Sequence, residues 1–307
     1  MPDSHDIAVV IPVYNSAKTL EELFVRTKDS LEAMNLDFEV IFVDDNSQDD
    51  SWKVIQKLKS TNKNHVKGFQ LAQNSGQQAA TFCGLQQANS LWVVTMDDDL
   101  QYPPEEILRL WDAAHKLNSD IIYGVAMVDR QNLARRFGAK CFRLLTKNIA
   151  PGFPNSSSFR LIKREILENL PKHLWQWSYV DPVLVWLTSN RATVTISQLP
   201  RQSGKSGYSL LKLTAIAGSI LIIYSTLLLR IMVVLGFITA TISLVLGVYF
   251  IIQKLTVGAE MGFSAIIVTI SFASGVILIC LGILGIYLSK IYRMSSGQPA
   301  FLIKRKI

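Results

Sequence analysis

Two long stretches without a charged residue lie near the carboxyl end, and they constrain the fold more than any other feature of the sequence. They run from Ile231 to Ile252 and from Phe263 to Leu288. As α-helices, with a rise of about 1.5 Å per residue, they reach roughly 33 and 39 Å, enough to cross a hydrocarbon layer of about 30 Å. Two such runs side by side are unusual in a soluble core. The sequence therefore predicts two transmembrane helices, at 231–252 and 263–288.

The net charge of +7 is confined to the part of the chain that carries these stretches. Residues 1–211 hold 23 Lys and Arg against 23 Asp and Glu, whereas residues 212–307 hold 8 basic residues against Glu260 alone. A basic excess beside apolar segments indicates anionic lipid headgroups as the partner. Nucleic acid is not expected, because no zinc-finger or basic-aromatic pattern is present. Three widely spaced cysteines predict neither a disulfide framework nor a zinc site, and they favour a reducing compartment.

A third apolar run, Leu213 to Leu229, leaves the number of spans open, because its 17 residues could also cross a membrane. With two spans, Arg230 and the basic carboxyl-terminal tail lie together on the cytoplasmic side, as the positive-inside rule requires. With three spans, the tail would lie opposite the soluble domain. We therefore predict interfacial amphipathic helices at 209–230 and a cytoplasmic basic tail at 289–307.

The first 125 residues alternate between short apolar runs and helical patterns. The β-rich runs lie at 7–13, 38–45, 66–72, 91–96 and 120–125. The helical patterns lie near 18–34, 50–60, 76–89 and 103–117. Strands that are apolar throughout belong to a parallel sheet covered on both faces. The sequence therefore predicts an α/β fold with a mostly parallel sheet, in a cytoplasmic domain spanning 1–208.

Polar residues follow three of these predicted strands. They are Tyr14 with Asn15, Asp44 with Asp45, and the triplet Asp97, Asp98 and Asp99. Parallel sheets bind ligands at the carboxyl ends of their strands. Carboxylates gathered at one edge repel each other unless a cation lies between them, and oxygen ligands suit Mg²⁺ or Mn²⁺. The alternative is that these are ordinary turn and cap residues. Phosphate-binding glycine motifs are missing from the sequence, so a metal and arginines must hold any phosphate.

Four segments resemble family 2 glycosyltransferases, in the branch of dolichol-phosphate mannose synthase and bacterial polyprenyl-phosphate glycosyltransferases. They are VVIPVYN (9–15), FVDDNSQDDS (42–51), LAQNSGQQAA (71–80) and DDDLQYPPE (97–105). The last is the most specific, and the resemblance covers nearly the whole chain. It implies a GT-A-type nucleotide-sugar-binding domain, followed by the interfacial helices and two transmembrane helices of that branch.

The resemblance also implies which residues bind a nucleoside-diphosphate sugar. The implied donor-binding residues are Pro12, Tyr14, Asn15, Asp44, Asp97 and Asp98. Asp97 and Asp99 match the two acidic positions of the family's DxD motif. Asp99, together with Gln101, would hold Mg²⁺ or Mn²⁺ on the diphosphate, in agreement with the charge argument above.

The acceptor that the resemblance implies is a polyprenyl phosphate in the membrane. The implied acceptor-binding residues are Arg130, Arg136, Arg160 and Lys205, and the implied catalytic residues are Asp97, Asp99, Arg130 and Arg136. Arginine suits a phosphate because its fork donates two parallel hydrogen bonds. The alternative for each arginine is a solvated helix face. Asp181, which precedes Pro182, is interpreted as a structural carboxylate or as a contact to a sugar.

Three positions depart from the family's pattern. Gln73 replaces the usual Arg, Ser158 replaces the Asp of many members, and Gly207 replaces Lys in the usual SKY. The first and third remove positive charge near phosphates, and they leave the identity of donor and acceptor open. The second removes a candidate base, which a largely ionised acceptor phosphate does not need.

The expected function is inverting, metal-dependent transfer of a sugar from a nucleotide donor to undecaprenyl or dolichyl phosphate at the cytoplasmic face of the plasma or inner membrane. The product would serve in modifying a surface glycan. Two alternatives remain: a transferase that uses another lipid-linked acceptor, and a catalytically idle scaffold that binds sugar nucleotides. The sequence leaves the oligomeric state open, a homo-oligomer included.

Overall fold

A computed structural model describes residues 5–126, 157–168, 180–199, 227–257, 263–295 and 299–307. The chain divides into two compact units. The first contains Met1–Gly207 together with Gly297–Ile307, and the second contains Tyr208–Ser296. The second unit is therefore inserted into the first in chain order.

The first unit begins with the predicted alternation of strands and helices. Its elements are β1 (His5–Val13), α1 (Leu20–Ala33), β2 (Phe38–Asp44), α2 (Ser51–Thr61), β3 (Val66–Leu71), α3 (Gln77–Gln87) and β4 (Ser90–Thr95). β1 pairs in parallel with both β2 and β4, and β2 pairs in parallel with β3. All seven residues of β2 are buried, because helices cover both faces of the sheet. The expected α/β fold with a mostly parallel sheet is confirmed.

The remaining elements extend this sheet to eight strands. They are a 3₁₀ turn (Pro104–Glu106), α4 (Ile107–Leu117), β5 (Ile121–Ala126), β6 (Arg160–Lys163), α5 (Arg164–Glu168), α6 (Val180–Leu187), β7 (Arg191–Ile196) and β8 (Ile303–Lys306). The strand order is β7-β5-β6-β4-β1-β2-β3-β8. β6 runs antiparallel to β4 and β5, and β8 runs antiparallel to β3. β6, β7 and β8 were not predicted from the sequence.

Two apolar layers hold the sheet, one on each face. Along β1, Val9 and Ile11 pack into the layer with α1, α2 and α4, whereas Val10 packs into the layer with α3 and α6. The alternation follows from the two-residue period of a strand. Helix α3 lies very close to β1, since a Cβ on Gly84 would come within 2.2 Å of Val10 Cγ1. The residue at position 84 must therefore be glycine for α3 to pack this closely.

The carboxyl terminus completes the sheet. β8 lies along the outer edge of β3, where Ala72 N donates to Leu302 O at 2.8 Å and Ile307 N donates to Gly68 O at 2.9 Å. The sequence IKRK alone indicates a charged tail, as predicted above, and not a strand. Charged side chains suit an edge strand, because they discourage pairing with other chains. All four residues of β8 are exposed.

The second unit consists, in its described part, of two long helices, α7 (Leu227–Val257) and α8 (Phe263–Ser295). Their most apolar windows, Met232–Tyr249 and Phe272–Ser289, each have a mean hydropathy of 2.2, and neither window is buried. Both helices are long and apolar enough to cross a membrane. The predicted interfacial helices fall mostly on residues 200–226, outside the described residues.

Candidate active site

The candidate site lies at the carboxyl ends of β1, β2 and β4, the three strands at the centre of the sheet. Tyr14 follows β1, Asp44 ends β2, and the acidic triplet Asp97 to Asp99 begins two residues after β4. Because β1 pairs with both β2 and β4, these three segments meet at one edge. The structure thus brings together predicted residues that the sequence spreads over 85 positions.

Asp98 connects the loop after β1 to the segment after β4 through hydrogen bonds. Its Oδ2 accepts a hydrogen bond from the backbone N of Tyr14 at 3.1 Å, and its backbone O accepts one from Thr19 Oγ1 at 2.7 Å. Burial raises the pKa of the Asp98 carboxyl, and the neighbouring Asp99 adds to this shift. Asp98 therefore shapes the loop that carries Tyr14 and Asn15.

Asp97 is held at both carboxylate oxygens. Gln77 Nε2 donates to Oδ1 at 2.5 Å, and Ser158 Oγ donates to Oδ2 at 2.6 Å. Burial, together with the charges of Asp99 and Asp98, raises the pKa of Asp97 to about 6. A carboxylate perturbed in this way is typical of a functional site, and a nearby cation would favour its ionised form.

The predicted metal ligands, Asp99 and Gln101, lie against each other. Both oxygens of Asp99 accept hydrogen bonds from Gln101, Oδ1 from the backbone N at 3.1 Å and Oδ2 from Nε2 at 2.8 Å. Gln101 Oε1 accepts a hydrogen bond from Gln198 Nε2 at 3.0 Å. Among the described residues, no three His, Cys, Asp or Glu side chains form a metal-binding group. One carboxylate and one amide oxygen nevertheless fit a cation such as Mg²⁺, which commonly takes further oxygens from substrate phosphates and water.

The other predicted donor residues divide into exposed and buried positions. Tyr14 is 47% exposed, and Asn15 is exposed with a left-handed backbone at φ 55°. Pro12 is buried within β1. Asp44 is fully buried, where its Oδ2 accepts a hydrogen bond from Gln70 Nε2 at 2.9 Å and its Oδ1 accepts one from Ser47 N at 3.2 Å. Tyr14 and Asn15 are therefore the two that a ligand could reach directly.

Asp45, the neighbour of Asp44, organises the segment before α3. Its two oxygens accept hydrogen bonds from the backbone N of Ser75 at 2.7 Å and of Gly76 at 2.8 Å. Gly76 has φ 90°, a conformation that favours glycine, and α3 begins at the next residue. Burial raises the pKa of Asp45. Through this contact β2 sets the position of Gln77, and hence one side of the Asp97 carboxylate.

Arg160, a predicted acceptor ligand, lies inside the protein. It is 2% exposed, its Nε donates to Thr95 Oγ1 at 3.0 Å, and its Nη1 forms an ion pair with Asp181. The acceptor role of Arg160 stays a prediction, although its guanidinium is buried and already has an internal counterion. The ion pair favours the structural interpretation of Asp181. Arg130, Arg136 and Lys205 lie outside the described residues, so their predicted roles rest on the sequence.

Gln77 was not among the predicted site residues, and Ser158 was noted only as a departure from a family pattern. Both residues contact Asp97 directly. Gln77 was within reach of prediction, because it lies in LAQNSGQQAA (71–80) at the start of a predicted helix. For Ser158 the only signal was its position next to Phe159 and Arg160 in SFRL (158–161).

Comparison with known proteins agrees with this geometry. The sequence profile described as "Glycosyl transferase family 2" matches residues 8–171, more than half of the chain, and this stretch contains every described residue of the acidic site except Gln198. The chain belongs to glycosyl transferase family 2. Members of this family are glycosyltransferases, so the expected class of enzyme is confirmed.

Two curated relatives match this family 2 chain over nearly its full length. An uncharacterized glycosyltransferase of Synechocystis sp. is 29% identical over 304 residues, which cover 97% of this chain and 94% of the relative. The undecaprenyl-phosphate 4-deoxy-4-formamido-L-arabinose transferase of Proteus mirabilis is 30% identical over 308 residues, which cover 98% and 94%. The expected branch of the family is thereby confirmed.

A solved structure supports the fold. The mannosyltransferase PcManGT from Pyrobaculum calidifontis, in complex with GDP-Man and Mn²⁺, aligns with a TM-score of 0.51 at 19% sequence identity. The alignment covers 67% of this chain and 59% of that chain. The family 2 chain has a GT-A-like fold, as the sequence motifs predicted.

Proposed function

We propose that this glycosyltransferase moves a sugar, with inversion, from a nucleoside-diphosphate sugar to a polyprenyl phosphate at the cytoplasmic face of a membrane. The observation that carries the proposal is the acidic triplet at the carboxyl end of β4, with Tyr14 and Asn15 exposed beside it. Two comparisons support it: a relative is named for undecaprenyl phosphate, and a structural neighbour was solved with GDP-Man and Mn²⁺.

The donor would bind across the ends of β1, β2 and β4. Tyr14 and Asn15 would contact the base and ribose, because they are the exposed members of the predicted set. Asp44 is buried and would support the site indirectly, because it accepts hydrogen bonds from Ser47 and Gln70. Asp97 would lie close to the ribose and the diphosphate of the bound donor.

Asp99 and Gln101 would hold Mg²⁺ or Mn²⁺ on the diphosphate. In the structure Gln101 turns its Nε2 toward Asp99. Flipping the side-chain amide would turn Oε1 to that side, so that Asp99 and Gln101 could each offer an oxygen to the cation. The bound cation would neutralise charge on the leaving nucleoside diphosphate. Asp97 and Asp98 have raised pKa values, which a cation would lower, so the electrostatics of the triplet favour this role.

The acceptor phosphate would be the nucleophile. One of its oxygens forms a bond to the anomeric carbon, while the bond from that carbon to the diphosphate oxygen breaks. Comparable phosphates have a second pKa near 6, so most of the acceptor is ionised at pH 7 and needs no protein base. Arg130, Arg136 and Lys205 would hold this phosphate, and Arg160 is left out of the set because it is buried.

The two long apolar helices would anchor the enzyme in the plasma or inner membrane. The first unit contains the residues that precede Tyr208 and those that follow Ser296. Because the insertion begins and ends in the same unit, this arrangement supports two membrane crossings over three. Together with the basic residues at positions 304–306, this supports a cytoplasmic catalytic unit.

The proposal is tested by assaying the purified chain against a panel of nucleotide sugars with radiolabelled undecaprenyl phosphate and MnCl₂. We expect one donor to give a radiolabelled lipid product together with free nucleoside diphosphate, and we expect EDTA to stop both. Release of nucleoside diphosphate only with another lipid acceptor would favour a transferase that uses a different lipid-linked acceptor. Binding of a nucleotide sugar without turnover would favour the scaffold.

A further inference from the structure

Two distant parts of the chain donate hydrogen bonds to the carboxylate of Asp97. Gln77, the first residue of α3, donates to Oδ1 at 2.5 Å, and Ser158, two residues before β6, donates to Oδ2 at 2.6 Å. With one donor on each oxygen, the carboxylate cannot rotate without losing a hydrogen bond. Both donors are neutral, so the negative charge of Asp97 stays available to a ligand.

Ser158 is itself held in place by neighbouring residues. Its backbone O accepts a hydrogen bond from Thr95 Oγ1 at 2.6 Å, and Thr95 Oγ1 accepts one from Arg160 Nε at 3.0 Å. Thr95 and Arg160 are also register partners in the β4–β6 pair. Arg160 in turn is paired with Asp181 at the start of α6. A continuous chain of contacts therefore runs from α6, through buried Arg160, to the oxygen of Asp97.

The chemistry of a hydroxyl at position 158 differs from that of a carboxylate at the same place. An aspartate would place a fourth carboxylate against the triplet and could only accept hydrogen bonds when ionised. Serine donates one instead, and it adds no charge. A hydroxyl at this position therefore supports Asp97 without adding negative charge.

We propose that Ser158 is a positioning residue that, with Gln77, fixes the Asp97 carboxylate for the nucleotide and its divalent cation. Arg160 supports Ser158 through Thr95, and this explains the burial of an arginine beside the site. The inference rests on the proposed function, because it takes the nucleotide and cation to bind at the triplet. It gives Gln77, Ser158 and Arg160 a role in holding Asp97 in place.

The test compares Ser158→Ala, Ser158→Thr and Ser157→Ala in the full-length protein. Ser157 is the matched control. Its hydroxyl accepts a hydrogen bond from Phe159 N at 3.2 Å and is not one of the two donors to Asp97. For Ser158→Ala we expect the KM of the donor and the half-saturating MnCl₂ concentration to rise roughly ten- to hundredfold, as for one lost hydrogen bond to a charged group. We expect kcat at saturation to change much less. Ser158→Thr should restore both values, and Ser157→Ala should leave them unchanged.

A binding measurement separates this inference from the proposed function. The shift in unfolding temperature caused by MnCl₂ with UDP, or with GDP, is measured for the same variants without any acceptor. A reduced shift for Ser158→Ala, restored by Ser158→Thr, supports the inference even if no polyprenyl phosphate is glycosylated. Equal shifts and equal KM values for Ser158→Ala and wild type would overturn it. A loss in Ser158→Ala that threonine does not restore, with an equally lowered unfolding temperature in the absence of nucleotide, would also overturn it.

Discussion

Replacing Asp181 with alanine should strongly destabilise the catalytic unit, because it leaves the guanidinium of Arg160 buried without a counterion. The Arg160 side chain is 3% exposed and forms an ion pair with Asp181. Removing one member of a buried ion pair costs about 3–5 kcal/mol. In a unit of roughly 200 residues, each kcal/mol lowers the unfolding temperature by about 2–4 °C. The expected decrease is therefore roughly 6–20 °C.

The measurement is thermal unfolding of the detergent-purified protein, followed by tryptophan fluorescence. Arg160→Met should also destabilise, but the double variant Arg160→Met with Asp181→Ala should recover much of the loss, because neither charge is then left unpaired. Glu165→Ala is the control, since its ion pair with Lys163 spans 2.9 Å between side chains that are 69% and 44% exposed. An exposed pair of this kind contributes about 0–1 kcal/mol.

One set of results would refute this reasoning. If Asp181→Ala and Arg160→Met both unfold within about 2 °C of wild type, the internal pair does not stabilise the protein as argued. If Arg160→Met then raises the KM for the lipid acceptor alone, Arg160 binds the acceptor phosphate, as the family motif first suggested.

Four further outcomes are expected. Asp99→Asn should unfold at the wild-type temperature and lose turnover, and turnover that survives EDTA would contradict the metal assignment. Arg136→Ala should lower kcat/KM for the lipid acceptor roughly ten- to hundredfold, with donor binding retained; a loss of donor affinity instead would place this residue at the donor site. Ser296→Cys, in a variant lacking the native cysteines, should resist an impermeant thiol reagent in intact cells, and labelling from outside would indicate three spans. Deleting residues 303–307 should lower the unfolding temperature and cause aggregation through the uncovered edge of β3, whereas an unchanged, monodisperse protein would show that β8 is dispensable.

The central strands could be predicted from the sequence because they are apolar along their whole length. The prediction of a strand at 38–45 differs from the observed β2 by one residue. β6 and β8 gave no such signal, since RLIK and IKRK are four residues long and rich in basic side chains. Their place in the sheet depends on partners distant in sequence, and no local pattern encodes such pairing.

The candidate site was predictable in position but not in its contacts. The acidic triplet follows a strand, and the geometry of parallel sheets fixes the edge at which it lies. The donors to Asp97 come from 20 and 61 residues away, so only packing brings them there. Arg160 shows the limit of a motif: SFRL gives a residue type and a position, whereas the burial of its side chain depends on how β6 joins the sheet.

The pairing of β8 with β3 imposes an order of events on the synthesis of this protein. The paired residues Phe69 and Lys306 lie 237 positions apart, with both apolar helices between them. At about 5–20 residues per second, a ribosome needs roughly 10–50 s to cover that distance. During this time the edge of β3 has no partner, although most of the catalytic unit has already emerged. The sheet can gain this edge strand only after both apolar helices have been synthesised. Completion of the sheet therefore requires that both apolar helices have already been made.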